Sequence, residues 1–335
     1  MSRYVSKIIN LKFAKIDEES RHILLCGDKN YIKYVGVALS SILINSAYKK
    51  WNFHIFLDDI YEKDLAKLNE TAEKYKININ VYFINFDVID KFSKNMHGND
   101  HISVAAYFRF IAFGALMNIC NKVLYLDSDI LVTDDISMFW KVPLKDAIAI
   151  VVEDDYGYMQ TDRLHVKKYF NSGVMFVDIA EWNKYNYSEI CIKTASEKVW
   201  QFLDQDVLNI ILDGKLVFFP KIYNYQYSIS RLIDSCNQLS QDIVLDENKI
   251  IHFIGASKPW NSWTQSINAV KQYNVVKNIS YWKDNKIIFP GDMRGKKYKY
   301  MHKAAIVAKK NDNYKEMVYW YLNYIFSKLK YCFGV

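Results

Sequence analysis

Between residues 20 and 265 the chain has no internal repeat and no Pro/Gly/Ser-rich stretch, which excludes a linker there and predicts one folded domain. Cysteine is sparse. The five copies, Cys26, Cys120, Cys191, Cys236 and Cys332, are odd in number and include no CxxC pair. That excludes a disulfide framework or a thiolate zinc site and points to a reducing compartment. No run of about 20 apolar residues is present to span a bilayer. Lys7, Lys12, Lys15, Asp17 and Glu18 interrupt the first segment, leaving no signal-peptide core. A cytoplasmic protein that does not cross the membrane is expected.

A charge excess is also missing from most of the chain. The net charge is +7, yet residues 294–335 hold ten Lys/Arg against two acids, so the body is close to neutral and the tail is basic. Such polarity implies an anionic partner at the C-terminus, with membrane headgroups, nucleic acid or acidic glycans as candidates. The neutral body excludes the broad basic face that a nucleic-acid-binding module needs.

What is abundant is apolar sequence, 51% of 335 residues. Strand-like runs occur at 22–27, 52–57, 79–84, 122–127 and 147–152, with helical periods at 34–46 and 62–75 between the first three. This β-α-β-α-β order predicts a doubly wound parallel sheet, whose ligands bind at the carboxyl ends of strands. Farther on, 170–182 reads as a turn, a strand and a helix start, 202–212 as a capped helix, and 249–255 as a last core strand.

The stretch VLYLDSDILV, residues 123–132, places Asp127 and Asp129 at the end of a buried run. Strand alternation would point both carboxylates the same way. Two like charges so close need a cation, and hard divalent ions such as Mn²⁺ or Mg²⁺ prefer carboxylate oxygen and share their shell with phosphates. A metal holding a nucleotide diphosphate is the expected occupant. An Asp pair serving only as a turn or a helix cap is the competing reading.

GDKNYIKYVGVALSSIL (27–43), AAYFRFIAF (105–113), VLYLDSDILV, YFNSGVMFVDIAEW (169–182), DQDVLN (204–209) and HFIGASKPW (252–260) together resemble the family 8 retaining glycosyltransferases. The similarity is greatest to the bacterial lipopolysaccharide core α-glucosyl- and α-galactosyltransferases. It implies an α/β fold of GT-A type, one nucleotide-sugar-binding domain with a mostly parallel Rossmann-like sheet, and a small helical C-terminal region. The expected division is an extension over 1–20, the transferase domain over 21–275 and the basic aromatic region over 276–335.

By this resemblance Asp127 and Asp129, with Ser128 between them, are the metal-binding Asp-x-Asp, and His252 is the third protein ligand. Lys258 would reach the donor diphosphate, with Gly255 letting the backbone approach it. Cys26, Asp28 and Asn30 would contact uracil and ribose, and Arg109 the donor phosphate or sugar. Asn171, Ser172, Gly173, Asp154, Asp204 and Gln205 would surround the hexose, with the Asp154 assignment open by one residue between Glu153 and Asp155. Gln205 faces the reactive carbon as a poor nucleophile. That favours a front-face displacement over the covalent route of retaining hydrolases.

The resemblance further implies a UDP-glucose or UDP-galactose donor, Mn²⁺ or Mg²⁺ as cofactor, and a lipopolysaccharide or lipooligosaccharide outer-core acceptor. Another family 8 activity, on a protein or capsule glycan, is the second enzymatic reading. The last helix, with Tyr319, Trp320, Tyr321, Tyr324 and Phe326 among lysines, is expected to touch the cytoplasmic face of the inner membrane. The competing reading is a helix docked on its own protein.

Overall fold

A mainly apolar run can be buried on both faces when its few polar side chains are hydrogen-bonded, and the five expected strands are such runs. The computed structural model describes residues 3–85, 87, 104–235, 247–293 and 295–333; Cys236 lies outside them. In chain order its strands are β1 (Val5–Lys12), β2 (Arg21–Cys26), β3 (Trp51–Leu57), β4 (Asn78–Ile84), β5 (Lys122–Leu126), β6 (Ile130–Val132), β7 (Ala149–Glu153), β8 (Phe170–Asp178), β9 (Leu216–Phe219), β10 (Tyr225–Gln226) and β11 (Ile250–His252). Eight form one sheet in the order β1-β4-β3-β2-β5-β8-β7-β9. β4, β3, β2 and β5 run parallel, and β8 lies antiparallel to both β5 and β7. The expected crossover helices are present at Ile32–Asn45 and Glu62–Tyr75.

Two packed layers cover the sheet. Helices Phe108–Ala115, Ile179–Lys184, Tyr187–Ala195 and Leu203–Ile211 contribute to a continuous core that includes Phe110, Phe113, Trp182 and Leu208, all fully buried. Helix Ile32–Asn45 buries Val35, Leu39 and Ile42. Its far end also grips β6: Ser41 Oγ accepts the Val132 N–H at 3.0 Å, and Asn45 Nδ2 donates to the Val132 carbonyl at 2.8 Å.

Several sequence expectations need correction. The turn expected at the start of 170–182 is strand instead: β8 begins at Phe170, and the Asn171 backbone is paired opposite Val152 in the ladder, just past an irregularity at Val151/Val152. The helix that follows starts at Ile179, capped by Asp178, which accepts the Glu181 N–H. Helix Leu203–Ile211 has no side-chain cap at Phe202; instead Asp206, one turn inside, accepts the Phe202 N–H at 3.1 Å. The last strand is only three residues long and belongs to a second sheet, ordered β10-β11-β6.

The chain packs as two compact units, Met1–Gln226 with Asn248–His252, and Tyr227–Glu247 with Phe253–Val335. This partition rests on packing, whereas the 1–20, 21–275 and 276–335 division follows composition and motif. Residues 5–12, inside the expected extension, supply the edge strand β1. The second unit contains helices Asn268–Ile279, Lys297–Lys310 and Tyr314–Phe333. Among the described residues, no helix is long and apolar enough to cross a membrane.

Candidate active site

β5 ends at Leu126, so Asp127, Ser128 and Asp129 form the turn into β6 and do not lie on a strand. Turn geometry, not strand alternation, brings the two carboxylates together. The turn is held at both ends: the Asp127 N–H donates to the Gly173 carbonyl at 2.8 Å, and β6 pairs antiparallel with β11. In that pairing Ile130, the residue after Asp129, lies opposite His252.

The three side chains converge. His252 Nε2 lies 3.2 Å from Asp129 Oδ1 and 3.7 Å from Asp127 Oδ2, and one donor atom from each residue falls within 4.8 Å of the others. His252 is buried, while the two carboxylates retain side-chain exposures of 24% and 17%, enough to meet a ligand from solvent. Space for the cluster is made by Gly173. A methyl group there would sit 2.2 Å from His252 Cε1 and 2.8 Å from Asp127 Oδ2.

Below the carboxylates is a buried guanidinium. Arg109, 3% exposed, donates from Nη2 to Asp127 Oδ1 at 2.9 Å, from Nη1 to the Ser172 carbonyl at 2.6 Å and from Nε to the Ala106 carbonyl at 3.0 Å. Its Nε also lies 3.2 Å from Asp204 Oδ2, and its plane stacks over Tyr125 at 4.2 Å. The Tyr125 hydroxyl donates to the same Asp127 oxygen at 2.5 Å. One Asp127 oxygen is thus fixed by two donors while the other faces His252. Arg109 occupies the buried ion-pair position, its donors turned to the protein.

Asp204 is buried, which pushes its carboxyl up to about 6 against the pull of Arg109. Ser172 Oγ donates to it at 3.1 Å. Beside it, the Gln205 carboxamide is fixed at both ends: Oε1 accepts the Ser172 N–H at 3.1 Å, and Nε2 donates to Asp154 Oδ2 at 3.3 Å. Asn171 Nδ2 donates to the same Asp154 oxygen. Of the three consecutive acids, Asp154 therefore faces the cluster, while Asp155 pairs with Lys221 and Glu153 with Lys168.

At the end of β2, Cys26 is buried and burial pushes its thiol up. Asp28 accepts the N–H groups of Asn30 and Tyr31 at 2.8 and 3.0 Å, shaping the turn into the next helix, and Asn30 is exposed. Gly255 and Lys258 belong to the second unit. Gly255 has φ +81°, a conformation that favours glycine. Lys258 Nζ donates to the Phe253 carbonyl at 2.7 Å.

Two residues escape sequence reasoning, Tyr125 and Asn224, and Gly173, expected beside the hexose, proves to be the gap that admits the triad. Asn224 Oδ1 lies 3.1 Å from His252 Nδ1, and its Nδ2 donates to Asn171 Oδ1 at 2.9 Å. The sole signal for Tyr125 is its spacing of two from Asp127; a buried Asn in an aromatic stretch gives none. The donor set suits a divalent cation: two carboxylate oxygens, an imidazole nitrogen with its other nitrogen hydrogen-bonded, and a cradle that a single Cβ would fill.

This geometry can be set against known proteins. Lipopolysaccharide 1,2-glucosyltransferase of Escherichia coli K12 is 32% identical over 267 residues, spanning 77% of this chain and 78% of that protein. Lipopolysaccharide 1,3-galactosyltransferase of Salmonella typhimurium is 28% identical over 305 residues, spanning 85% and 86%. The crystal structure of galactosyltransferase LgtC with donor and acceptor sugar analogues superposes with a TM-score of 0.65 at 22% identity, covering 78% of this chain and 96% of that one. The fold is therefore of GT-A type, as expected. The family model described as glycosyl transferase family 8 matches residues 22–264, and the chain belongs to that family.

Proposed function

We propose that the protein is a metal-dependent retaining hexosyltransferase that moves glucose or galactose from a UDP-sugar to the outer core oligosaccharide of lipopolysaccharide or lipooligosaccharide. The observation that carries this reading is the Asp127–Asp129–His252 cluster, set on a buried arginine at the end of a parallel strand. The relatives named for lipopolysaccharide glucosyl and galactosyl transfer support the acceptor class.

Asp127, Asp129 and His252 would hold Mn²⁺, or Mg²⁺, against the donor diphosphate. When bound, the cation supplies charge neutralisation for the departing UDP. Arg109 and Tyr125 orient Asp127 so that one oxygen stays turned toward the cluster. We assign Lys258 and Gly255 to the diphosphate and Cys26, Asp28 and Asn30 to the nucleoside by motif. Asn171 and Ser172 line the hexose with Asp154.

Gln205 is a neutral amide with both ends anchored, so it presents a dipole and not a nucleophile. Asp204, ionised above about pH 6, adds a negative field beneath an oxocarbenium-like sugar. The acceptor hydroxyl attacks the anomeric carbon on the face that UDP leaves. The carbon–phosphate oxygen bond breaks as the new glycosidic bond forms, and the hydroxyl proton passes to the departing phosphate. The configuration is retained.

Asp129→Ala should abolish both UDP-sugar turnover and Mn²⁺-dependent UDP binding in a folded protein. Full activity in that variant would overturn the assignment, and UDP release across a panel of UDP-hexoses with Mn²⁺ identifies the donor.

A further inference from the structure

The hydrogen bonds behind the triad can be assigned from one fixed point. The backbone N–H of Gly173 can only donate, and it lies 3.1 Å from one end of the Asn171 carboxamide, so that end is the oxygen. Its other end, the amide nitrogen, faces the Asp154 carboxylate at 3.3 Å, as it must. An Asn171 oxygen requires a donor from Asn224, so the Asn224 atom 2.9 Å away is Nδ2. Asn224 Oδ1 is then the atom 3.1 Å from His252 Nδ1, and only a protonated Nδ1 satisfies it.

In the neutral ring Nε2 is then a bare lone pair, 3.2 and 3.7 Å from two carboxylate oxygens. Three electron-rich atoms in that arrangement repel one another unless a cation lies among them. Neutral imidazole in water prefers its proton on Nε2, the tautomer that cannot ligate from this side. Asn224 and His252 are 1% and 4% exposed, so water does not substitute for the amide.

We propose that Asn224 is a positioning residue that locks His252 in the Nδ1–H tautomer and so keeps Nε2 free for a metal, with Asn171 in turn locking Asn224. The inference rests on the metal-binding role given to the triad above, but the tautomer is read without metal and tests it independently. A polar contact behind a metal-binding histidine commonly changes affinity by about 10- to 100-fold.

The test uses the full chain labelled with ¹⁵N-histidine, with His252→Gln to assign the signal, at a pH where the ¹⁵N shifts themselves report a neutral ring. Long-range nitrogen–proton couplings in the metal-free protein should report Nδ1–H for His252. Asn224→Leu should convert it to Nε2–H and weaken Mn²⁺ binding, followed by the resonance of free Mn²⁺ with UDP present, by roughly 10- to 100-fold. Asn224→Asp, which keeps an acceptor, should retain Nδ1–H. Asn171→Leu, which frees Asn224 to rotate, should shift the tautomer partway. An Nε2–H signal in the unaltered protein, or unchanged tautomer and affinity in folded Asn224→Leu, overturns the proposal. If Asn224→Leu fails to fold, Asn171→Leu and the unaltered protein decide. A protein that binds no Mn²⁺ yet switches tautomer in Asn224→Leu would refute the metal role and leave the lock standing.

Discussion

Gly173 shows how a single missing methyl group can define a site. Its backbone is bonded to Asp127 through the carbonyl and to Asn171 through the N–H, so it cannot retreat from the imidazole it faces. Gly173→Ala would drive Cβ into His252 Cε1 and Asp127 Oδ2. Displacing the ring by about 1 Å should lower turnover by on the order of 100-fold. Mn²⁺ affinity measured calorimetrically should fall with it, while far-UV circular dichroism stays unchanged. At this scale the acids and the histidine were legible, because charges inside apolar runs stand out and the surrounding motifs resemble a family. Tyr125 and Asn224 were not, since a buried polar side chain among aromatics breaks no pattern. Their roles emerge only when β5, β8, β11 and the segment before β10 meet in space.

At the scale of elements, the parallel strands conceal a polar seam. His22 on β2 and His54 on β3 stack with their ring nitrogens 2.9 Å apart. The chain continues to Tyr82 on β4, whose hydroxyl lies 3.0 Å from His54 Nδ1, while Asn52 Nδ2 lies 3.3 Å from His22 Nδ1. Burial pushes His22 down to about 4 from an ordinary 6.5, and burial followed by repulsion from His22 holds His54 well below its usual value. Between about pH 6.5 and 4 the unfolded chain therefore binds protons that the folded sheet refuses, and stability falls as the pH is lowered through that window. The loss should be on the order of 3 kcal/mol from His22, with more from His54. Urea midpoints across the window measure it; a flat profile would show that the seam accepts protons without cost. The same elements explain which parts of the fold could be read in advance. Mainly apolar runs signal buried parallel strands, whereas three-residue β6 and β11 are too short to carry any periodicity.

At the scale of the whole molecule, the basic tail resolves into two faces. Tyr321 and Tyr324 turn toward His302 of helix Lys297–Lys310, with ring centroids 5.8 and 4.8 Å apart. Val318, Leu322, Ile325 and Leu329 form a stripe on the last helix, each at least half exposed, with Phe326 at 65% beside it. An apolar stripe among lysines suits the boundary of an anionic lipid surface, which we propose as its partner. The double substitution Leu322→Glu and Phe326→Glu should abolish cosedimentation with vesicles rich in anionic lipid and leave UDP release in solution unchanged. Undiminished cosedimentation would favour a helix that serves only its own protein.

Because β11 supplies the third donor from a point far beyond the last strand of the main sheet, assembly of the site has a built-in order. A growing chain released through β9 already contains all eight strands of that sheet and both acids. It still lacks the imidazole and the ladder that pins the turn. During synthesis, therefore, the three-residue cluster can close only after the strands of the main sheet have all been made, with residues 253–335 still to follow.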